Sequence, residues 1–351
     1  MIRLSLLQFR VQAAVGAAAL AAFAILLAVT GPHLASLYAT SGIDGCQPAS
    51  CEHLASDFLQ QVYGAGSYSV LYLAGVIIIL LTPAIIGLFW GAPLIARELE
   101  TGTSSLAWNQ SVTRTRWLAV KLTVGGLAAM AVTEGLSLMQ AWWAAPIGRA
   151  VGHGGGGNEL AMGRFSSLVF ATHGITPLGY AAFGFCLGVT AGALIRRTVP
   201  AMAVTLAVFA VLQIAMPLWI RPHLFPAERT VVPITSLDSI ALLQGGLNGS
   251  RFNLGALNVP GQPGAWVLSS GTVDAAGTPA VVSPAACTGP SVENSPAGFV
   301  GCLASHGFRE TIGYQPASRY WAFQWTETAI YLVLALILAG CSFRRLGRRL
   351  S

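Results

Sequence analysis

The sequence predicts an all-α membrane protein: six transmembrane helices, a short cytoplasmic helix between spans two and three, and a long extracellular loop before the last span. Apolar runs of crossing length recur six times along the 351 residues, and a bilayer core needs about 20 such residues per helix. Only 9% of the chain is charged against 54% hydrophobic, where a soluble domain carries about 25% charge. A water-facing surface cannot be built from that composition. The net charge of +6 does not point to nucleic acid, because the basic residues cluster at the ends of apolar runs rather than along one stripe. All 19 basic residues but Lys121 are arginine, a bias that suggests a GC-rich bacterial genome and says nothing of mechanism.

The spans follow in order. Val11–Thr30 stands between Arg3, Arg10 and Gly31-Pro32. It is longer than the apolar core of a signal peptide, about 7–15 residues, and reads as retained. Val70–Ile95 is uncharged throughout, Leu118–Ala145 holds one acid, Glu134, and Leu168–Ile195 ends at Arg196-Arg197. Thr198–Ile220 returns after a tight turn and is broken by Pro217; Ala322–Cys341 is stopped by "SFRRLGRRL". The chain thus divides into 1–220 with five spans and a polar segment at 96–117, a loop or small subdomain at 221–320, and the sixth span with a basic tail at 321–351.

Twelve basic residues fall on the side of the termini and seven on the other, over far longer loops. The positive-inside rule then places both termini in the cytoplasm of a bacterial plasma-membrane protein. Cys46, Cys51, Cys287 and Cys302 lie in outer loops, and the oxidising side invites two disulfides, most simply Cys46–Cys51 and Cys287–Cys302, with free thiols as the alternative. No metal site is expected beside them, because no histidine is read at ligand spacing. The loop at 221–320 is rich in Gly, Pro, Ser and Val, with weak strand signals such as "GAWVLSSGTV", and closes on "SRYWAFQW", an interfacial aromatic belt.

Candidate chemistry is sparse. "GHGGGG" at 152–157 matches an oxyanion loop of lipases, yet no G-x-S-x-G nucleophile turn accompanies it, and H-E-x-x-H is absent. Glu134, well inside its span, should face protein, partner or water, either as a substrate or proton contact or as a hydrogen bond between helices. His173 and Glu327 read as interfacial. Gly184, Gly188 and Gly192 share a helix face for tight packing within the bundle or at a subunit interface. A phosphate-binding loop needs G-x-x-x-x-G-K-[ST], and Lys121 has no such glycines before it. The chain therefore reads as no enzyme and as holding no cofactor of its own.

Between spans two and three lies "IARELETGTSSLAWNQSVTRTRWLAVK". Thr103 or Ser104 can cap a short helix over 105–110, with Leu99 and Leu106 on one face and Trp108 at the interface. Gly102 eases the turn, and Glu98 and Glu100 can pair with arginines of a partner or with Arg97 and Arg114. This start resembles the coupling segment of type-two ATP-binding-cassette export permeases, where E-x-E-x-G-T precedes a short amphipathic helix. The resemblance rests on Glu98, Glu100, Thr101, Gly102 and Thr103, then "SVTRTRW", and on six spans with both termini inside. The outer loop departs from the family, whose members often carry short re-entrant helices there.

What the resemblance implies is a permease subunit of an exporter of amphipathic small molecules: drugs, antibiotics, peptides or lipids. A separate ATP-binding subunit, holding ATP and magnesium, would dock on Arg97, Glu98, Glu100, Thr101, Gly102, Leu106, Trp108, Arg114 and Arg116. Permeases would pair as a homodimer or heterodimer among membrane lipids, with Glu134 on the substrate path. A proton-coupled secondary transporter or a membrane-embedded enzyme using Glu134 is the alternative.

Overall fold

A computed structural model describes residues 2–100, 114–154, 163–234, 240–241, 255–256, 259–280, 287 and 296–348. The chain divides into two compact units, one of Met1–Met162, Ser166–Arg221 and Trp321–Ser351, the other of Gly163–Phe165 and Pro222–Tyr320. Six helices among the described residues are long and apolar enough to cross a membrane: Ala14–Gly45, Ser67–Glu98, Thr115–Gly152, Thr176–Ile195, Thr198–His223 and Ala317–Arg345. The chain is a multi-pass membrane protein.

Helix α1 (Ile2–Thr40) runs straight through Gly31-Pro32, where the sequence reading ends the span. Local chemistry supports the passage. Thr30 Oγ1 donates to the Leu26 carbonyl at 2.9 Å and accepts from Trp143 Nε1 at 2.9 Å. Gly31 admits the indole of Trp142, whose ring would lie 3.0 Å from an added Cβ. Proline is tolerated in a membrane helix where neighbours cover the freed backbone. A further helix, α2 (Pro48–Gly64), was not anticipated; Ala55, Phe58, Leu59 and Val62 form its buried stripe. The Cys46–Cys51 disulfide ties its first turn to the preceding loop, with Cα atoms 5.2 Å apart.

Helix α3 (Ser67–Ile86) continues through a π-helical turn (Gly87–Gly91) into α4 (Ala92–Glu100), and α5 covers Arg114–Gly152. The expected span Leu168–Ile195 is in fact two helices, α6 (Ser167–Thr172) and α7 (Thr176–Ile195). Gly174 at φ +76° turns the chain between them, and Pro177 sits in the first turn of α7. Helix α8 (Thr198–Ala215) passes into a second π-helical turn (Met216–Ile220), so Pro217 does not break the span. Helix α10 (Tyr320–Arg348) is the last, with Trp321 and Trp325 exposed on its opening turns, as an interfacial belt requires.

Helix α7 is the axis of the first unit, buried almost throughout from Thr176 to Ala193. Its glycine stripe is used within the chain. A Cβ on Gly184 would stand 2.6 Å from the Pro83 carbonyl oxygen, and one on Gly192 2.5 Å from that of Ala92. Gly188 meets the Gly87 carbonyl in the same way. The π-helical turn supplies the matching glycines: a Cβ on Gly91 would be 2.6 Å from the Phe185 carbonyl oxygen. Backbone therefore lies on backbone, as small-residue stripes permit.

The second unit departs from the all-α expectation. Strands β1 (Glu228–Pro233), β4 (Trp266–Val273) and β5 (Arg309–Gln315) form an antiparallel sheet in the order β1-β5-β4, with Glu228 opposite Tyr314 and Val267 opposite Tyr314. Strands β2 (Ile240–Ala241) and β3 (Gly255–Ala256) pair separately, and α9 spans Pro296–Ser305. Only β4 lies within the strand signal noted in the sequence. The two ends of this unit are laced together: Arg319 donates to Gln315, to the Pro226 carbonyl and to Glu228, each at 2.8 Å.

Candidate functional site

Polar side chains in the first unit gather in three places. The first lies where α4 ends and α5 begins, on either flank of residues 101–113. Lys121 is 1% exposed, its Nζ 2.5 Å from Glu98 Oε1 and 4.3 Å from the centre of the Trp117 ring. An ammonium so placed is tolerated because a carboxylate and an aromatic face replace its water. Glu100 Oε2 accepts from Thr198 N at 3.2 Å and Thr198 Oγ1 at 2.7 Å. It thereby caps α8, whose preceding residue, Arg197, offers no side-chain cap. The Thr198 hydroxyl and amide, with Arg197 nearby, hold the Glu100 carboxyl below its ordinary value. Both acids thus bind inside the chain, fastening α4 to α5 and to α8. Thr101, Gly102, Leu106 and Trp108 lie outside the described residues; Arg114 opens α5, and Arg97 and Arg116 are exposed on the last turn of α4 and the first of α5. Lys121 and Thr198 were missed as partners, although a lone lysine four residues after Trp117 was a readable signal.

At the other end of the bundle Arg221 and Glu327 form a bidentate pair, Nε to Oε2 at 2.8 Å and Nη2 to Oε1 at 3.0 Å. Tyr180 donates a short hydrogen bond to Glu327 Oε1, and the guanidinium lies 4.0 Å from the centre of the Phe170 ring. Glu327 is fully buried, which corrects its interfacial reading. Beside it Gln324 closes the break between α6 and α7. Its Oε1 accepts from Ile175 N and Thr176 N at 3.0 and 3.1 Å, and its Nε2 donates to the carbonyls of Phe170 and His173 at 3.2 and 3.1 Å. Broken backbone at membrane depth survives where such partners exist. Gln324, Glu327, Thr328 and Tyr331 recur at helical spacing on α10, a polar stripe legible in the sequence. His173 caps α6 and is half buried.

The third place is the middle of α5. Glu134 is half buried, and its Oε2 is shut off from solvent with no hydrogen-bond partner. Thr133 Oγ1 and Gln140 Oε1 are orphaned likewise. Gln140 Nε2 donates to the Tyr72 carbonyl at 3.4 Å, and Gly75 makes room for its amide.

A sequence model described as "ABC-2 membrane transporter related" matches residues 17–221. The chain belongs to this family. No curated protein matches it, and no solved structure does. The matched stretch covers α2 to α8, most of α1, and the Glu98–Lys121 and Glu100–Thr198 links, and it ends at Arg221, so Glu327 and the five strands β1 to β5 fall beyond it. The family is one of membrane transport subunits, and the chain is a transport permease of that kind.

The cysteines add no site to the membrane part. Cys46–Cys51 and Cys287–Cys302 are bonded, and Cys186 and Cys341 are free. His306 Nδ1 stands 3.8 Å from Cys287 Sγ and 4.0 Å from Cys302 Sγ. A histidine four residues after Cys302 therefore does accompany the pair, contrary to the sequence reading. The disulfide leaves neither sulfur as a thiolate ligand.

Proposed function

We propose that this chain is the permease subunit of an ATP-driven exporter of amphipathic small molecules, set in a bacterial plasma membrane with both termini in the cytoplasm. Two permeases, identical or related, enclose the path, and a separate ATPase docks on the segment between α4 and α5. The observation that carries the reading is the pair of links at the roots of that segment, Glu98–Lys121 and Glu100–Thr198, within a stretch that matches the family. A push on residues 101–113 would reach α5 and α8 together through those links, so a rigid motor could tilt two spans at once. The distribution of arginine supports the orientation, as do two disulfides in loops that six spans place opposite the termini. Arg97, Arg116 and the segment 101–113 remain the surface offered to the ATPase; Glu98 and Glu100 act behind it as fasteners.

The test is purification of the native complex in mild detergent, with its ATPase identified and transport measured in proteoliposomes. Co-purification of an ATPase and loss of transport on ATP depletion are expected. A chain that purifies alone, and whose transport survives ATP depletion but collapses with a protonophore, would overturn the reading in favour of a proton-coupled carrier.

A further inference from the structure

We propose that α5 carries a recognition strip for an amphipathic ammonium ion, with Glu134 as its countercharge; this names the substrate class of the exporter above and rests on that reading. Three side-chain oxygens on adjacent turns of α5, Thr133 Oγ1, Glu134 Oε2 and Gln140 Oε1, are closed to solvent and without a hydrogen-bond partner. Thr133 and Gln140 are fully buried. Positions 133 and 140 share a helix face with Glu134 on its flank, and the three span about 10 Å along the axis. Residue 133 is the midpoint of Arg114–Gly152, so the strip lies at the centre of the span.

All three orphans are oxygens able to accept, the Thr133 hydroxyl able to donate as well, and each is a buried polar atom left uncompensated. Three donors on the same helix are committed elsewhere: Lys121 to Glu98, Ser137 to the Thr172 carbonyl and Trp143 to Thr30. Arg149 lies over the Tyr38 ring. Among the described residues the span is rich in acceptors and short of donors around one carboxylate. A ligand that completes it must bring N–H groups and positive charge. A phosphate or carboxylate would add acceptors and a like charge, and an uncharged lipid would leave the carboxylate bare. Exposed Leu127 and Leu138, seven residues before and four after Glu134, lie along the same flank and suit a hydrocarbon tail. The ligand is thus a long-chain amine in its protonated form.

The experiment uses the full chain in phosphatidylcholine nanodiscs, without ATPase or nucleotide, so its outcome is independent of the export reading. A dansyl-labelled long-chain primary amine and its uncharged N-acetyl counterpart are titrated at pH 7, with empty nanodiscs subtracted. The amine should bind saturably and at least about tenfold more tightly than the amide. Glu134→Gln should abolish that preference with amide binding unchanged, and Glu134→Asp should retain most of it. Thermal unfolding of each variant verifies that the fold is intact. Equal binding of amine and amide by the parent chain overturns the proposal, as does a preference that survives Glu134→Gln. Proton uptake at Glu134 with no preference for amine would overturn it too and assign the carboxylate to proton transfer.

Discussion

Replacing Lys121 by methionine removes the only ammonium side chain in the protein and leaves Glu98 facing an apolar end. At 2.5 Å and an effective dielectric of about 20, the attraction is about 6–7 kcal/mol. Dehydrating Lys121, which is 1% exposed, cancels several of these, so the net worth of the pair is about 1–3 kcal/mol. Breaking it costs more than its net worth, because the survivor keeps its desolvation penalty. Glu98 retains some solvent, its side chain being 22% exposed, which limits the loss for Lys121→Met to about 3 kcal/mol. Glu98→Gln strands the more deeply buried partner and should cost at least as much. Together the two substitutions should cost about 1 kcal/mol, giving a coupling energy above about 2 kcal/mol in a double-mutant cycle. Urea titration of the four proteins in mixed micelles measures each value. Effects that add to within about 0.5 kcal/mol would refute the pair as a fastener.

Gly188→Ala drives a methyl into the Gly87 carbonyl and to 2.7 Å from the Ala92 nitrogen, and should destabilise the bundle by about 1–3 kcal/mol in the same titration. Gly148→Ala, where nothing lies within 4 Å, should be neutral or slightly stabilising. Gln324→Leu strands two carbonyls and two amides at the α6–α7 break, and hydrogen exchange at Ile175 and Thr176 should accelerate markedly. Burial raises Glu310 to about 7, partly offset by the Thr272 hydroxyl. Its folded form thus holds a proton that the unfolded chain releases near pH 4–5, so this contribution to stability is full below that range and lost as pH rises through about 7. Thermal unfolding of the sheet unit should therefore fall between pH 5 and 8, and Glu310→Gln should flatten the dependence.

The membrane spans were legible because apolar length alone specifies them. Their breaks and continuations were not, since these depend on which neighbour covers the backbone. Gly31-Pro32 looks like a stop and is not one, because Thr30, Trp142 and Trp143 close around it. His173-Gly174 looks like part of a span and is a break, because Gln324, some 150 residues later, satisfies both sides of it. "THGITP" does hold a glycine and a proline in the order of a helix end followed by a start, and that signal was available. The polar segment stood out in the sequence, but its acids were expected to pair with a partner's arginines or with Arg97 and Arg114. Only the fold brings Lys121 and Thr198 to them. Strand β4 carried a readable alternation, whereas β1 and β5 are short and become strands through each other.

Because Glu228 stands opposite Tyr314 and Arg319 reaches back to Pro226, the stretch from Pro222 to Tyr320 begins and ends one strand pair apart. An insertion whose ends meet in this way can lengthen or shorten between them without moving either end. A short glycine-serine bridge would therefore suffice to join those ends in its place.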